Sequence, residues 1–269
     1  MQTFYHGLTA VQLTGADGSR AVVTLHGAHV VEYVPHGMED ILFVSGKSEF
    51  ASGKAIRGGV PVCFPWFGAP PEGQSGSHGF VRNQEWELLA DNGDNAVFGF
   101  ETAQFRLRYT VSVSDELRLA LQITNLTGDD FAYSGALHTY FKVGEVSAVM
   151  FDGVMDTVYS DALSGREILQ NIPLVIDREV DRVYKSSGAV TITDPVLKRQ
   201  IKVSKAGSNS TVIWNPWIDK SKRLTDFGDD EYSGMLCIEA ANAPATGDDR
   251  ILPPHEETQL IQIIRADNR

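Results

Sequence analysis

Hydrophobic positions along most of this chain recur with a period of two, the spacing of strands and not of helices. Phe105, Leu107, Tyr109, Val111 and Val113 alternate with Arg106, Arg108, Thr110 and Ser112. After Asp115-Glu116 the alternation resumes at Leu117, Leu119, Leu121 and Ile123. Two half-buried strands joined as a hairpin give this pattern. Arg82–Ala90 repeats it with Trp86, Leu88 and Ala90, and Asp91-Asn92-Gly93-Asp94 supplies a turn before Ala96, Phe98 and Phe100. Ala21–Val34 is rich in β-branched residues, and further strands are predicted at Ala189–Thr193, Gln200–Ser204, Thr211–Trp214, Met235–Ala240 and Gln259–Arg265. No run of ten residues keeps a period of 3.6; only Pro216–Phe227 and Asp161–Ile168 have room for a short helical turn. Gly and Pro are spread evenly, with no linker, repeat or low-complexity segment. The chain therefore reads as one all-β domain over residues 1–269, a sandwich or barrel with few short helices. Ala69–Ser77 is a loop inside it.

Composition narrows the function. A hydrophobic fraction of 42% in 269 residues allows a sizeable core. A net charge of −12 argues against nucleic acid as the main partner, because phosphate neutralisation needs a dense field of Lys and Arg. The basic run Lys198, Arg199, Lys202 and Lys205 alternates with Ile201 and Val203 and reads as the solvated face of a strand. Cys63 and Cys237 are too few for a disulfide framework or a metal set and are expected as buried thiols. MQTFYHGLTA has neither a basic nor an apolar leader region, and no stretch approaches 18 apolar residues. A cytoplasmic protein without membrane association is expected.

Against this acidic background, Ile56–Arg82 is a small basic island: IRGGVPVCFPWFG, a Pro/Gly/Ser connector, then SHGFVRN. Residues 51–82 carry Lys54, Arg57 and Arg82 against Glu72 alone. Guanidinium forks match phosphate or carboxylate, and glycines let backbone N–H groups approach a ligand, so the island predicts a small-anion site. His138, in GALHTYF, is either a satisfied core histidine or a proton donor. Glu239, in MLCIEAANA, is a lone carboxylate in an apolar strand, which is costly unless paired or functional. Its role divides evenly between a general base with a raised pKa and a structural partner for an arginine. Asp181 is either a surface ion-pair member or an acceptor for ligand hydroxyls. Trp214-Asn215-Pro216-Trp217 forms an aromatic turn that suits a sugar face or a core cap. Lys220, Lys222 and Arg223 are balanced by nearby acids and read as a solvated surface element. His26 and His29 make a poor metal pair, Gly46-Lys47-Ser48 lacks the glycine a phosphate loop needs, and neither metal nor cofactor is expected.

The ordered series IRGGVPVCFPWFG, SHGFVRNQEWEL, ALHTYF, VDRVY, WNPW, DFGDDEY and CIEAAN resembles the glucose-6-phosphate 1-epimerase (hexose-6-phosphate mutarotase) branch of the aldose 1-epimerase family, over nearly the whole chain. The resemblance implies a large antiparallel β-sandwich of the galactose mutarotase type, a supersandwich, and interconversion of the α and β anomers of hexose 6-phosphates. It implies His138 as general acid and Glu239 as general base, with Arg57 and Arg82 binding the phosphorylated sugar, His78 supporting them and Asp181 holding sugar hydroxyls. Some members carry glutamine where this chain has Ser77, which leaves Ser77 a weak contact. The usual Pro-Gly-Glu turn reads Pro253-Pro254-His255-Glu256, a change expected to alter a loop. A monomer acting on a small-molecule substrate is expected. The rival readings are an epimerase of unphosphorylated aldoses and a non-catalytic sugar-phosphate-binding domain.

Overall fold

The computed structural model describes residues 1–269 as 22 strands, one five-residue α-helix at Trp217–Ser221 and four 3-10 turns. Two eight-stranded antiparallel sheets carry most of the chain. One runs in the order Met150–Asp152, Val190–Asp194, Arg199–Ala206, Glu257–Asn268, Leu117–Asn125, Phe105–Val113, Asn95–Glu101 and Glu87–Asp91. The other runs Arg166–Leu169, Val158–Asp161, Val180–Lys185, Ser210–Asn215, Met235–Asn242, Gly135–Leu137 and Val62–Cys63, with Tyr140–Lys142 also pairing on Met235–Asn242. A four-stranded sheet from the first 34 residues and a two-stranded ribbon complete the fold. This is the antiparallel β-sandwich that the family resemblance implied, where the alternation alone left sandwich and barrel open.

The predicted hairpin folds as Phe105–Val113 and Leu117–Asn125, with Tyr109 opposite Leu121 and every inward side chain of Phe105–Val113 buried. Three expectations need correction. Ala21–Val34 is two strands, Arg20–Thr24 and His29–Val34, because Gly27 turns the chain at a φ of +74°. Arg82 lies in a 3-10 turn, Val81–Asn83, and the strand begins only at Glu87. Asp161–Ile168 holds no helical turn but the hairpin between Val158–Asp161 and Arg166–Leu169.

Alternation explains how one strand serves two compartments. On Met235–Asn242, which is buried throughout, Leu236, Ile238 and Ala240 point into a core of 49 residues between the large sheets. Met235, Cys237 and Ala241 point the other way, into a smaller apolar cluster with Cys63, Tyr140, Val183, Val212, Trp214 and Phe227. Glu239 shares this second face by its spacing from Cys237. Cross-strand pairs extend the row: Asp181 lies opposite Trp214, Trp214 opposite Cys237, Cys237 opposite Tyr140, and Val212 opposite Glu239. The outer face of this sheet is thus a floor on which polar groups stand among aromatics.

Candidate active site

A cavity of about 380 Å³ opens over that floor. Its lining includes His138, Glu239, Arg57, Arg82, His78, Asp181 and Ser77, so every site residue expected from sequence comes together here. Val212, Trp214, Tyr140, Phe67, Lys220 and Leu224 complete it.

His138 occupies a break between the strands Gly135–Leu137 and Tyr140–Lys142. The break is pinned on both sides: the His138 N–H donates to Pro61 O at 3.1 Å, and the Ile238 N–H donates to Thr139 O at 3.2 Å. The ring lies parallel to Tyr140, with centroids 4.8 Å apart, and meets His78 edge-on at 5.4 Å. His138 Nε2 stands 3.3 Å from Glu239 Oε1. The Glu239 side chain is only 1% exposed, and neither Glu239 Oε2 nor His138 Nδ1 has a hydrogen-bond partner in the protein. Burial favours the neutral form of each group. It pushes the Glu239 carboxyl well above the usual carboxylate range, helped by the negative Asp181. It holds the His138 imidazole well below its ordinary value, helped by His78, Arg82 and Arg57. Both members are therefore biased toward their neutral forms.

His78 has a left-handed φ of +63°, and its Nδ1 accepts from the Gly68 N–H at 3.3 Å. With Nδ1 an acceptor, the neutral ring carries its proton on Nε2. Burial, Arg82 and Arg57 lower its pKa to about 3, so His78 is a neutral donor on the wall.

The two arginines differ. Arg57 Nε and Nη2 each lie 3.2 Å from a carboxylate oxygen of Asp226, and Nη1 donates to the Tyr140 hydroxyl at 3.0 Å. Arg82 Nη2 donates to Ser77 O at 2.7 Å, its Nε is buried without a partner, and it has no carboxylate in ion-pair reach. The contribution Ser77 makes is thus its carbonyl, which orients Arg82. His26 Nε2 and His29 Nε2 contact Lys54 O and Gly58 O, at 2.6 and 2.7 Å, and brace the segment that carries Arg57. Gly58 and Gly59 were expected to bring backbone to a ligand; their reason is packing. A Cβ on Gly59, at a φ of +56°, would run into Val30 O, and one on Gly58 into Phe43 O.

Lys220 is the clearest correction to the sequence reading. Far from lying on a solvated element, it lines the cavity, pairs with Glu179 at 2.8 Å and Asp181 at 3.6 Å, and sits 5.7 Å from the Trp214 ring centre. Burial raises the Asp181 pKa while Lys220 opposes the rise. Of the aromatic turn, Trp214 faces the cavity, whereas Trp217 packs on Tyr232 and the main core. Tyr140 and Asp226 were given no role in the site from sequence, and Lys220 was read as solvated. Tyr140 stood in the quoted ALHTYF motif, and its alternation with His138 was the available signal.

Such a cavity can exchange protons with a polyhydroxylated ligand at one place and hold an anion at another. Cys237 Sγ, His138 and Glu239 also offer ligand atoms within 4.8 Å of one another, which makes them the set able to meet a soft cation.

Residues 9–265 match the family model described as aldose 1-epimerase. The chain belongs to the aldose 1-epimerase family. It is an epimerase, an isomerase of sugars. A protein of Cenchrus ciliaris named "putative glucose-6-phosphate 1-epimerase" is 36% identical over 260 residues, 87% of this chain and 78% of that one. A protein of the same name from Escherichia coli K12 is 33% identical, over 93% of this chain and 88% of its own. The crystal structure of "a putative mutarotase (YeaD)" from Salmonella typhimurium superposes with a TM-score of 0.90 at 28% identity, covering 100% of this chain and 93% of that one.

Proposed function

We propose that this epimerase interconverts the α and β anomers of a hexose 6-phosphate, with His138 and Glu239 exchanging protons at the anomeric centre and Arg82 and Arg57 holding the phosphate. The observation that carries the reading is the buried His138–Glu239 contact at 3.3 Å, in the same cavity as an arginine without a carboxylate partner. Relatives named for glucose 6-phosphate support the same substrate class.

In the ring-opening direction, Glu239 carboxylate takes the proton from the anomeric hydroxyl as imidazolium His138 gives one to the ring oxygen. The C1–O5 bond breaks, C1 becomes the aldehyde carbon, and the pair is left as neutral imidazole and carboxylic acid. Rotation about C1–C2 presents the other carbonyl face. The C5 hydroxyl then attacks C1, returns its proton to His138, and the new anomeric oxygen takes one from Glu239. The number of protons on the pair never changes. Concerted transfer avoids both a free alkoxide and a protonated ring ether, neither stable at neutral pH.

The phosphate does more than anchor. The positive field of Arg82 and Arg57 is among the causes that keep His138 neutral. A bound dianion offsets that field, so it favours the imidazolium that opens the ring. A neutral sugar supplies no such compensation. Asp181, held by Lys220, accepts from sugar hydroxyls, and Trp214 offers its ring to the apolar face of the sugar.

The test is Glu239→Gln, with anomer exchange followed by saturation-transfer NMR. The amide keeps the shape and loses the base, so kcat on glucose 6-phosphate falls by about 10²- to 10⁴-fold with little change in KM. Unchanged exchange refutes the role of Glu239. A wild-type enzyme faster on glucose than on glucose 6-phosphate refutes the substrate.

A further inference from the structure

We propose that Tyr140 is a positioning residue that couples Arg57 to the His138 imidazole, so that an anion gripped at one end of the cavity sets the alignment of the proton donor at the other. The inference rests on the reading of the site given above.

Tyr140 is 2% exposed and touches both partners. Its hydroxyl accepts from Arg57 Nη1 at 3.0 Å, and its ring lies parallel to His138, centroids 4.8 Å apart and planes 11° apart. Trp214 meets the same ring edge-on at 6.0 Å, which fixes its tilt. The Tyr140 N–H donates to Gly59 O at 2.9 Å, a second link to the segment carrying Arg57. On the far side of Arg57, Asp226 takes Nε and Nη2. A continuous series of contacts therefore runs Asp226, Arg57, Tyr140, His138, Glu239. Three of the five guanidinium N–H groups are engaged, which leaves two for an anion in the cavity. Burial raises the phenol pKa, so the residue stays a neutral hydroxyl and presents Arg57 with an acceptor that carries no charge. A hydroxyl buried this deeply is costly unless bonded, and phenylalanine would pack as well against His138 and Trp214. The hydroxyl is therefore explained by Arg57, and the ring by His138.

The two halves of the residue separate experimentally. Tyr140→Phe removes the link to Arg57 and keeps the stack. Its kcat on glucose 6-phosphate falls about five- to tenfold, its KM rises by less than about threefold, and the loss on glucose is smaller than that on glucose 6-phosphate. Tyr140→Leu removes the stack, and kcat falls at least about tenfold on both sugars. A structural role alone would lower kcat on both sugars alike and would not make the Tyr140→Phe loss larger on the phosphorylated one. A second measurement needs no turnover: inorganic phosphate titrated into the full-length protein shifts the His138 imidazole resonances in NMR, and in Tyr140→Phe it shifts them less than half as far. Circular dichroism and thermal melting confirm that Tyr140→Phe is folded; should Tyr140→Leu fail to fold, Tyr140→Phe and the titration decide alone. A kcat loss in Tyr140→Phe that is absent or equal on both sugars overturns the proposal, as does a phosphate response of His138 that survives the substitution intact. Absence of turnover on both sugars defeats the functional reading, while the titration still decides the role of Tyr140.

Discussion

The Asp226 carboxylate occupies the Nε–Nη2 edge of Arg57, at 3.2 Å from each nitrogen, whereas Arg82 is held only by the Ser77 carbonyl. Two arginines that look equivalent in sequence thus offer unequal charge to a ligand. Part of the Arg57 field is cancelled in place; that of Arg82 is not. Charge-assisted bonds to a dianion should draw mainly on Arg82.

Replacing each arginine by alanine tests this inequality. Arg82→Ala is expected to raise the KM for glucose 6-phosphate by about 10- to 100-fold, and Arg57→Ala by less than about tenfold, with little change for glucose in either. Steady-state rates on the two sugars decide it. Equal losses on both sugars in Arg82→Ala contradict phosphate binding there.

How much of this was legible beforehand depends on how local the signal is. Alternation is local, so Phe105–Val113 folds with the bounds its sequence predicts. The isolated carboxylate of Glu239 is local too, and its chemistry could be posed from one strand, although its partner could not. Ion pairing across the chain is not local. Asp226 lies 169 residues from Arg57, and in sequence it merely helps to cancel the charge of Lys220, Lys222 and Arg223. Averaging charge over that segment hid both an arginine clamp and a cavity lysine. The Gly58-Gly59 pair misled in another way, since glycine marks a close approach without saying of what. Here the neighbours are the Val30 and Phe43 carbonyls, not a ligand.

Gly59 provides a prediction on stability. Its φ of +56° is left-handed, and an added Cβ would meet His29 Nε2 at 2.8 Å as well as Val30 O. Gly59→Ala is expected to destabilise the protein by about 2 kcal/mol or more, through backbone strain and the collision together. The midpoint of urea unfolding measures it. Because Gly59 N–H donates to Phe43 O beside Arg57, the variant should also bind phosphate less tightly.

The pH dependence of kcat follows from the shared proton. Turnover needs one proton on the His138–Glu239 pair; adding a second or removing the last abolishes it. Burial disfavours imidazolium, so the acidic limb lies below the ordinary histidine value. Burial also disfavours carboxylate, so the basic limb lies above the ordinary carboxylate value. A bell bounded by these two limbs is expected, and both limbs belong to the pair as a unit. In Glu239→Gln the one titrating member left is His138, whose imidazolium opens the ring, so the residual rate should lose the acidic limb and fall as pH rises. An unaltered bell in that variant places the titration elsewhere.

Lys220 separates recognition of the sugar from recognition of the phosphate. It stands between Glu179 and Asp181 and opposes the upward pull of burial on the Asp181 pKa. Lys220→Met removes the cation and leaves Asp181 beside Glu179 and Asp161, both of which push its pKa further up. Asp181 then spends more of its time protonated and is a poorer acceptor for sugar hydroxyls. Hydroxyls are common to glucose and glucose 6-phosphate, so KM should rise by a similar factor on both, about three- to tenfold. That pattern is the opposite of the one expected for Arg82→Ala. The deficit should shrink as pH is raised, because Asp181 regains its charge, and grow as pH is lowered. A loss confined to glucose 6-phosphate would instead make Lys220 a third phosphate ligand, which parallel KM measurements on the two sugars at two pH values would reveal.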